Sequence, residues 1–251
     1  MSHVYSDAFY DYIEQGSRRS AQAFIEILKE HVTFESVLDV GCGRGAWLSE
    51  WEQAGLKTIA GLDGDYVERD KLHISPKKFT AVDLSRRFNL GKRFDLVQCL
   101  EVAEHLPATS AAGLVNSLAE HGDIIVFSAA TPGQGGENHI NEKPLGYWRG
   151  LFSAHAYEVY DPIRPALKDN DHIMPWYRYN TLVYANSAGR ARFSADFKAT
   201  HIPIDSPIPR GGDLSWKLRK AVVRQLPRPI VNWIASANAA RTATKLKKAP
   251  Q

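Results

Sequence analysis

The chain has 251 residues, of which 44% are hydrophobic and two are cysteine, and its formal net charge is +3. This length fits one α/β domain of ordinary size plus an appendage, and the two cysteines exclude a disulfide scaffold. No apolar run approaches membrane-spanning length and the polar N-terminus has no secretory apolar core, so we expect a cytoplasmic protein with reduced thiols.

A glycine-rich turn after the first strand is the most informative feature. A helix predicted over about Ser17–His31 precedes it, and residues 37–45, V-L-D-V-G-C-G-R-G, then predict a short buried strand and a turn. A helix predicted from Ala46 to Leu56 follows, and its free N–H groups and dipole favour an anionic group. Glycines let the backbone turn sharply and approach a ligand where a Cβ would clash; the turn contains Gly41, Gly43 and Gly45.

Further apolar runs predict the remaining strands of a sheet. Alternation of strands and helices implies a parallel sheet with helices on both faces and a ligand at the carboxyl ends of the strands. Asp63 and Asp83 end two of these runs, and an acid about twenty residues past the glycines is placed to accept hydrogen bonds from ribose hydroxyls. The predicted strands are 58–63, 79–84, 94–100 and 123–129, then an antiparallel pair, 157–161 and 180–186, after a helix over about Pro144–His155.

The segment E-V-A-E-H after the fourth strand carries candidate catalytic groups. If it is helical, Glu101, Glu104 and His105 share one face, and His139 lies beyond the fifth strand. Two carboxylates and two imidazoles suit Mg²⁺, Mn²⁺ or Zn²⁺, which would lower the pKa of a bound hydroxyl. We favour metal-free general base catalysis by His105 or His139, beside Glu104. Capping of a short helix by His105 remains an equal alternative.

The loop 131–142 that contains His139 is rich in glycine. Gly133, Gly135 and Gly136 predict a mobile gate or a tightly folded connection. Polar groups that could grip a hydroxylated substrate also lie in this loop, and they are Asn138, Asn141 and Glu142. Aromatic residues 176–179 form either a stacking wall or part of a small core, and the sequence leaves both open.

Together these motifs resemble the class I S-adenosylmethionine-dependent methyltransferases. Nicotinamide enzymes usually carry a third glycine where this chain has Ala46, which favours the methyltransferase form over an oxidoreductase. The resemblance implies a Rossmann-like, doubly wound, seven-stranded sheet with an antiparallel last strand. The matching segments are 39–45, 61–63, 82–84 and 94–106, while F-S-A-A-T-P-G-Q-G-G (127–136), H-I-N-E (139–142) and W-Y-R-Y-N (176–180) look like a bacterial subgroup of undefined substrate.

The resemblance also implies roles for residues around the cofactor. The glycine turn would hold the methionine portion of S-adenosylmethionine, and Asp39 would accept from its ammonium group or orient the turn. Asp63 would accept from the ribose hydroxyls, and Asp83, flanked by Leu84, from the adenine amino group. Each acid could instead serve as a helix cap or turn residue. The four metal candidates resemble the metal site of small-RNA 2′-O-methyltransferases and of ubiquinone-pathway O-methyltransferases.

The chain divides into three predicted parts. Residues 1–34 form an N-terminal helix that the resemblance implies is a lid, although its aromatics could merely cover the sheet edge. Residues 35–190 form the S-adenosylmethionine-binding core, and residues 191–251 form a proline-interrupted, basic helical tail. The clustered aromatics of the N-terminal part are Tyr5, Phe9, Tyr10 and Tyr12.

The tail concentrates positive charge. Residues 206–251 contain ten lysines and arginines but one acid, Asp213, and so carry +9, whereas residues 1–205 carry −6. Its first helix, from about Leu214 to Leu226, packs on the domain or on a second subunit, or else contacts an anionic membrane surface or another polyanion. We favour packing. A second helix is predicted from Ile230 to about Arg241.

We therefore predict a methyltransferase acting on a hydroxyl of a small molecule, such as a sugar or glycan precursor. A nucleic-acid partner is not expected, because Q-C-L-E (98–101) stands where an exocyclic-amine methylase carries its N/D-P-P-Y/F motif. The alternatives are a 2′-O-methyltransferase acting on RNA ends, a non-catalytic module that binds the cofactor, and a nicotinamide-dependent oxidoreductase. The sequence leaves the acceptor atom and the oligomeric state open.

Overall fold

The computed structural model of the chain describes residues 7–227, 229–235 and 237. Eight strands form one sheet in the order β3-β2-β1-β4-β5-β7-β6-β8. They are β1 (Ser36–Val40), β2 (Thr58–Asp63), β3 (Phe79–Ala81), β4 (Leu96–Leu100), β5 (Ile124–Ser128), β6 (Glu158–Tyr160), β7 (Leu182–Ala185) and β8 (His201–Ile202). The apolar runs of the sequence become strands because both sheet faces are covered.

The five strands β1 to β5 run parallel to one another, so their carboxyl ends lie at one edge of the sheet. β1 pairs in parallel with β2 and β4, β2 with β3, and β4 with β5. β7 is antiparallel to both β5 and β6, which confirms the expected antiparallel end. The sheet has one strand more than the seven expected, because residues 201–202 pair antiparallel with β6.

Within the described residues, seven α-helices and short 3₁₀ turns lie between these strands, while one further α-helix precedes the first strand and another follows the last. The first helix begins earlier than the sequence indicated, and the second ends three residues sooner. The helices are α1 (Asp7–Lys29), α2 (Ala46–Gln53), α3 (Ala111–His121), α4 (Leu145–Ser153), α5 (Ile163–Leu167), α6 (Pro175–Asn180), α7 (Ser187–Ala191), α8 (Ala195–Ala199) and α9 (Leu214–Val223).

One face of the sheet is covered by α1 and α2. Phe24 and Leu28 of α1 are buried in the same core as Trp51 of α2. Phe24 packs edge-on against Trp47, with ring centroids 5.3 Å apart. The predicted lid aromatics Tyr5, Phe9, Tyr10 and Tyr12 lie outside the residues whose side chains are described. The described part of α1 is therefore a core helix.

The opposite face is covered by α3 and α4. Leu118 of α3 and Trp148 and Phe152 of α4 are fully buried there. Phe152 stacks on Tyr184 of β7 with a centroid separation of 4.0 Å. Burial of each such large side chain contributes roughly 2–3 kcal/mol, so both layers fix the strands whose ends carry the site.

The aromatic segment 176–179 is part of the core. It lies in α6, where Tyr177 is buried and contacts Trp47 edge-on at 5.1 Å. The hydroxyl of Tyr177 lies 3.4 Å from Oγ of Ser17 on α1. This segment therefore joins helices together and does not form the stacking wall that the sequence left open.

The segment predicted as a tail begins inside the core. Phe193 and Phe197 are buried, and β8 extends the sheet. Beyond it lies α9, and residues 229–235 and 237 are also helical, while the other residues of the predicted second tail helix lie outside the described ones. Among the described helices, none combines the length and hydropathy that crossing a membrane requires.

Candidate functional site

The glycine turn lies between β1 and α2. Gly41, Gly43 and Gly45 have φ of +84°, +53° and +82°. A Cβ on Gly41 would lie 2.2 Å from Cγ2 of Val102, so this position requires glycine for space as well as for φ. The turn is bonded to the neighbouring strand, since the amides of Gly41 and Cys42 both donate to the Leu62 carbonyl at 2.7 and 3.0 Å.

Asp63 closes the turn from the end of β2. Its carboxylate accepts from the amides of Gly43 and Gly64, both at 2.7 Å, and from the hydroxyl of Tyr66. Tyr66 is otherwise exposed. A ligand hydroxyl that displaced the Tyr66 hydroxyl would find the carboxylate already held in place by two backbone amides.

A cleft of about 760 Å³ opens at the carboxyl ends of β1 to β4. This volume lies within the range of small-molecule sites. The strand order brings Gly41, the segment after β2, the segment after β3 and the segment after β4 to its wall, and Asn138 borders it from the loop beyond β5. The cleft therefore lies where the sequence predicted the ligand.

Asp83 and Leu84 line the end of this cleft beyond β3. The Asp83 carboxylate is exposed and accepts from the amide of Ser85 at 3.0 Å and from the Ser85 hydroxyl. These hydrogen bonds lower the pKa of Asp83. The side chain therefore makes an Asx-type turn, which was its alternative role, while it still borders the cleft.

Asp39 lies below the turn, within β1. Its carboxyl is almost fully buried. Burial, together with the neighbouring Asp63 carboxylate, raises its pKa to about 7, although a hydrogen bond from Gln98 opposes this increase. A cationic group placed nearby would relieve both effects.

The segment after β4 is not helical from Glu101, so the predicted shared face is wrong. Glu101 has φ of +55°, and only Ala103–His105 form a 3₁₀ turn. The Glu101 carboxylate accepts from Nε2 of Gln134 at 2.8 Å and from Nδ2 of Asn180 at 3.3 Å. It is thereby held outside the group of ligand atoms formed by the other three candidates, although it lies close enough to Glu104 to raise the pKa of that carboxyl.

Three of the four candidate ligands nevertheless come together. Glu104, His105 and His139 offer ligand atoms that all lie within 4.8 Å of one another. Glu104 is fully buried, and neither of its carboxylate oxygens has a hydrogen-bond partner among the described residues. Burial and the nearby Glu101 raise its pKa well above the ordinary value.

The two histidines differ in their surroundings. Partial desolvation and the neighbouring His139 lower the pKa of His105, whose outer face stays exposed. Their rings pack edge-on at 5.0 Å. Nδ1 of His139 donates to Oε1 of Glu142 at 3.1 Å, which orients the ring. A neutral His105 at the cleft wall is thus available to accept a proton.

Glu142 folds the loop instead of facing a substrate. Its two oxygens accept from the amides of Gly133 at 2.8 Å and Gly135 at 2.7 Å, besides His139. Burial opposes ionisation, but these hydrogen bonds lower the net pKa of Glu142. The glycine-rich loop is therefore a tightly folded connection, which was one of its two predicted states.

The predicted residues divide between the cleft wall and its support. Asp39, Gly43, Gly45, Glu104 and His139 are absent from the lining of this cleft and lie behind or beside it. Sequence reasoning missed Tyr66, Gln134 and Asn180, whose contacts no local pattern indicates. The predicted residues that do line the cleft are Gly41, Asp63, Asp83, Leu84, Glu101 and His105.

Comparison with known proteins identifies the family. A family model described as a methyltransferase domain matches residues 12–169, more than half of the chain. No curated protein matches the sequence significantly. The chain belongs to this methyltransferase-domain family, and the protein is an S-adenosylmethionine-dependent methyltransferase.

Solved structures share the fold at low sequence identity. DesVI from Streptomyces venezuelae has a TM-score of 0.57 and 16% identity over 72% of this chain and 96% of that chain. Magnesium protoporphyrin IX methyltransferase (ChlM) from Synechocystis PCC 6803, with bound SAM, has a TM-score of 0.53 and 18% identity, over 74% of this chain and 87% of that chain. CalS10, an amino pentose methyltransferase from Micromonospora echinaspora, has a TM-score of 0.52 and 15% identity, over 74% of this chain and 100% of that chain.

The sequence predicts that Asp63 accepts from the ribose hydroxyls, so Asp63→Ala should remove a charged acceptor and weaken binding of S-adenosylhomocysteine by about ten- to hundred-fold. Isothermal titration calorimetry measures the affinity, and thermal unfolding shows whether the variant still folds. Asp65→Ala is the matched control, since this exposed neighbour also lines the cleft but pairs with Arg69. An unchanged affinity of Asp63→Ala would refute the assignment.

Asp39→Asn should gain stability relative to the wild type as pH rises from 5 to 8. The unfolded carboxyl loses its proton near pH 3.8 but the folded one keeps it to about 7. The protonated carboxyl therefore contributes fully below the unfolded value, and this contribution is lost as pH rises to the folded value; between pH 5 and 7 the loss is at most about 3 kcal/mol. Thermal melts across this range measure it, with exposed Asp65→Asn as the control; a pH-independent difference contradicts it.

Proposed function

We propose that this methyltransferase transfers a methyl group to a hydroxyl of a small molecule, such as a sugar or glycan precursor, in the cytoplasm. The observation that carries the proposal is the position of His105 at the cleft wall with a lowered pKa. The free thiols of Cys42 and Cys99, both buried, support the reducing compartment.

In this proposal, residues at the ends of the strands bind successive parts of the cofactor. The glycine turn binds the methionine portion, and the buried Asp39 accepts from its ammonium group. Asp63 accepts from the ribose hydroxyls, and Asp83 and Leu84 bind the adenine end. In support, the cleft passes from Gly41 along Asp63 to Asp83 and Leu84, in the order that such a ligand requires.

The acceptor side needs a base, since a neutral alcohol attacks a methyl group poorly. The hydroxyl oxygen forms a bond to the methyl carbon as the carbon–sulfur bond breaks, and the hydroxyl proton passes to a histidine. Burial and the neighbouring His139 lower the pKa of His105 to about 4, so its ring is fully neutral at pH 7 but a weaker base than an exposed histidine. His139 is oriented by Glu142. Glu104 is buried beside these two histidines.

A sugar acceptor is supported by one of the similar structures. CalS10 is by name an amino pentose methyltransferase. Because an amine is also a nucleophile, the acceptor atom must be tested directly. A histidine base is needed for a hydroxyl acceptor, which favours oxygen over nitrogen in this chain.

The same cluster fits a divalent ion. Glu104, His105 and His139 would supply one carboxylate and two imidazoles, a donor set that suits Mn²⁺ or Zn²⁺ better than Mg²⁺. Such an ion would lower the pKa of a bound hydroxyl. The unpartnered oxygens of Glu104 are compatible with an ion or with a proton, and we favour the proton because burial and Glu101 raise its pKa.

Chelator treatment should therefore leave turnover unchanged, and metal analysis of the purified protein should find no stoichiometric ion. A loss of turnover that Mn²⁺ or Zn²⁺ restores would instead assign Glu104 and the two histidines to metal ligation. Glu104→Gln is the matched variant, because it keeps the shape of the side chain but loses the charge that an ion needs.

Labelled methyl transfer to hydroxylated sugars, amino sugars and RNA 3′ ends should yield a base-stable ether on a sugar hydroxyl. His139→Ala should lower this turnover by about a hundred-fold or more while it leaves S-adenosylhomocysteine binding intact. The acidic limb of kcat/KM should lie below the ordinary histidine pKa of about 6.5.

His201→Ala is the control for this experiment, since His201 is an exposed histidine on β8. Transfer to an amino group would overturn the hydroxyl assignment, and salt-sensitive transfer to RNA would favour the RNA alternative. Binding of the cofactor with no transfer to any acceptor would favour a non-catalytic module. Normal turnover of His139→Ala would exclude a catalytic role for this residue.

A further inference from the structure

The inner face of α9 is seated on the active-site loop. Nη1 of Arg219 donates to the Gln134 carbonyl at 2.7 Å, and Nζ of Lys220 donates to the Thr131 hydroxyl. A Cβ on Gly133 would lie 2.4 Å from the Lys220 carbonyl oxygen, so the two backbones are in close contact. Gln134 in turn donates to Glu101 at the cleft wall.

The outer face of α9 is apolar and uncovered. Leu214, Leu218 and Val222 recur every four residues and are 81%, 64% and 56% exposed. Beyond α9, the helical residues 229–235 carry two more exposed apolar side chains, Ile230 and Trp233, and Trp233 is 71% exposed. We call these five residues the apolar stripe. Eight large hydrophobic side chains are exposed among the described residues, and five of them belong to it.

Positive charge borders the α9 part of the apolar stripe on one side. Helical spacing places Lys217 and Arg224 along one border. The single acid of residues 206–251, Asp213, caps the helix by accepting from the Trp216 amide at 2.7 Å. Nothing in this segment therefore offsets its basic charge locally. Two copies facing each other across the stripe would bring two such segments together, which their mutual repulsion opposes.

We propose that the apolar stripe docks on an anionic lipid surface. Aliphatic side chains on one face of α9, bordered by lysine and arginine, and an exposed tryptophan in the helical residues that follow match a segment that lies in the plane of a membrane interface. The basic groups would contact the lipid phosphates while the stripe enters the headgroup boundary. Because the inner face holds the loop beside Glu101, the lipid surface would lie next to the rim of the cleft.

Co-sedimentation of the full chain with vesicles tests the proposal. The protein should bind phosphatidylcholine vesicles that contain phosphatidylglycerol, bind pure phosphatidylcholine much less, and be released by salt. Leu218→Glu should weaken the partition coefficient by about ten-fold or more, and Lys217→Glu by at least about five-fold.

Ile204→Glu is the matched control, since Ile204 is 60% exposed but lies outside the stripe. It should bind like the wild type, and thermal unfolding verifies that all three variants fold. Equal binding to both vesicle types, or full binding by Leu218→Glu, overturns the proposal. A dimer in sedimentation equilibrium that Leu218→Glu dissociates would assign the stripe to contact with a second copy. RNA binding without vesicle binding would assign it to a polyanion. Either outcome overturns the proposal of a lipid surface.

Discussion

The bond between the Asp63 carboxylate and the amide of Gly43 fixes the geometry on which the site depends. It joins the end of β2 to the turn that follows β1, beside the two amides that donate to the Leu62 carbonyl. A charged acceptor makes such a hydrogen bond worth roughly 1.5–3 kcal/mol. The turn also needs the missing Cβ of Gly41 so that Val102 can pack beneath it. The glycine turn, the Asp63 carboxylate that we propose as the ribose acceptor, and the segment after β4 are therefore positioned by one set of contacts.

The site contains four acids, and they differ in how far hydrogen bonds offset the cost of burying the carboxylate. Asp63 and Glu101 receive hydrogen bonds from amides and side-chain amides. Asp39 and Glu104 are more deeply buried, and their pKa values are raised by burial first and by a neighbouring carboxylate second. Buried carboxylates without full compensation favour a proton or a cationic partner. S-adenosylmethionine carries an ammonium group and a sulfonium, so its charge is complementary to this arrangement.

The sequence predicted the parts of the site that depend on local pattern. Residues 58–63 form β2 with the predicted bounds, and the acids at strand ends lie at one edge because parallel strands must end together. The interpretation of E-V-A-E-H as a helix failed because spacing alone does not show that Glu101 adopts a left-handed conformation. Its partners Gln134 and Asn180 are 33 and 79 residues away. Such contacts are set by packing of α6 and the loop after β5, which no local signal records.

The same limit applies to the tail, whose charge and periodicity indicated a surface helix but not where it would lie. The structure seats α9 on residues 131–136, and Glu142 binds this loop from the opposite side through the amides of Gly133 and Gly135. Gly133 takes part in both contacts, because it donates to Glu142 and its missing Cβ leaves room for the Lys220 carbonyl. The position of His139 therefore depends on the tail as well as on the sheet: a displacement of α9 would loosen the loop that Glu142 uses to orient the imidazole. In this fold the tail supports the loop that contains His139, and any surface that binds the outer face of α9 acts on the same structural unit.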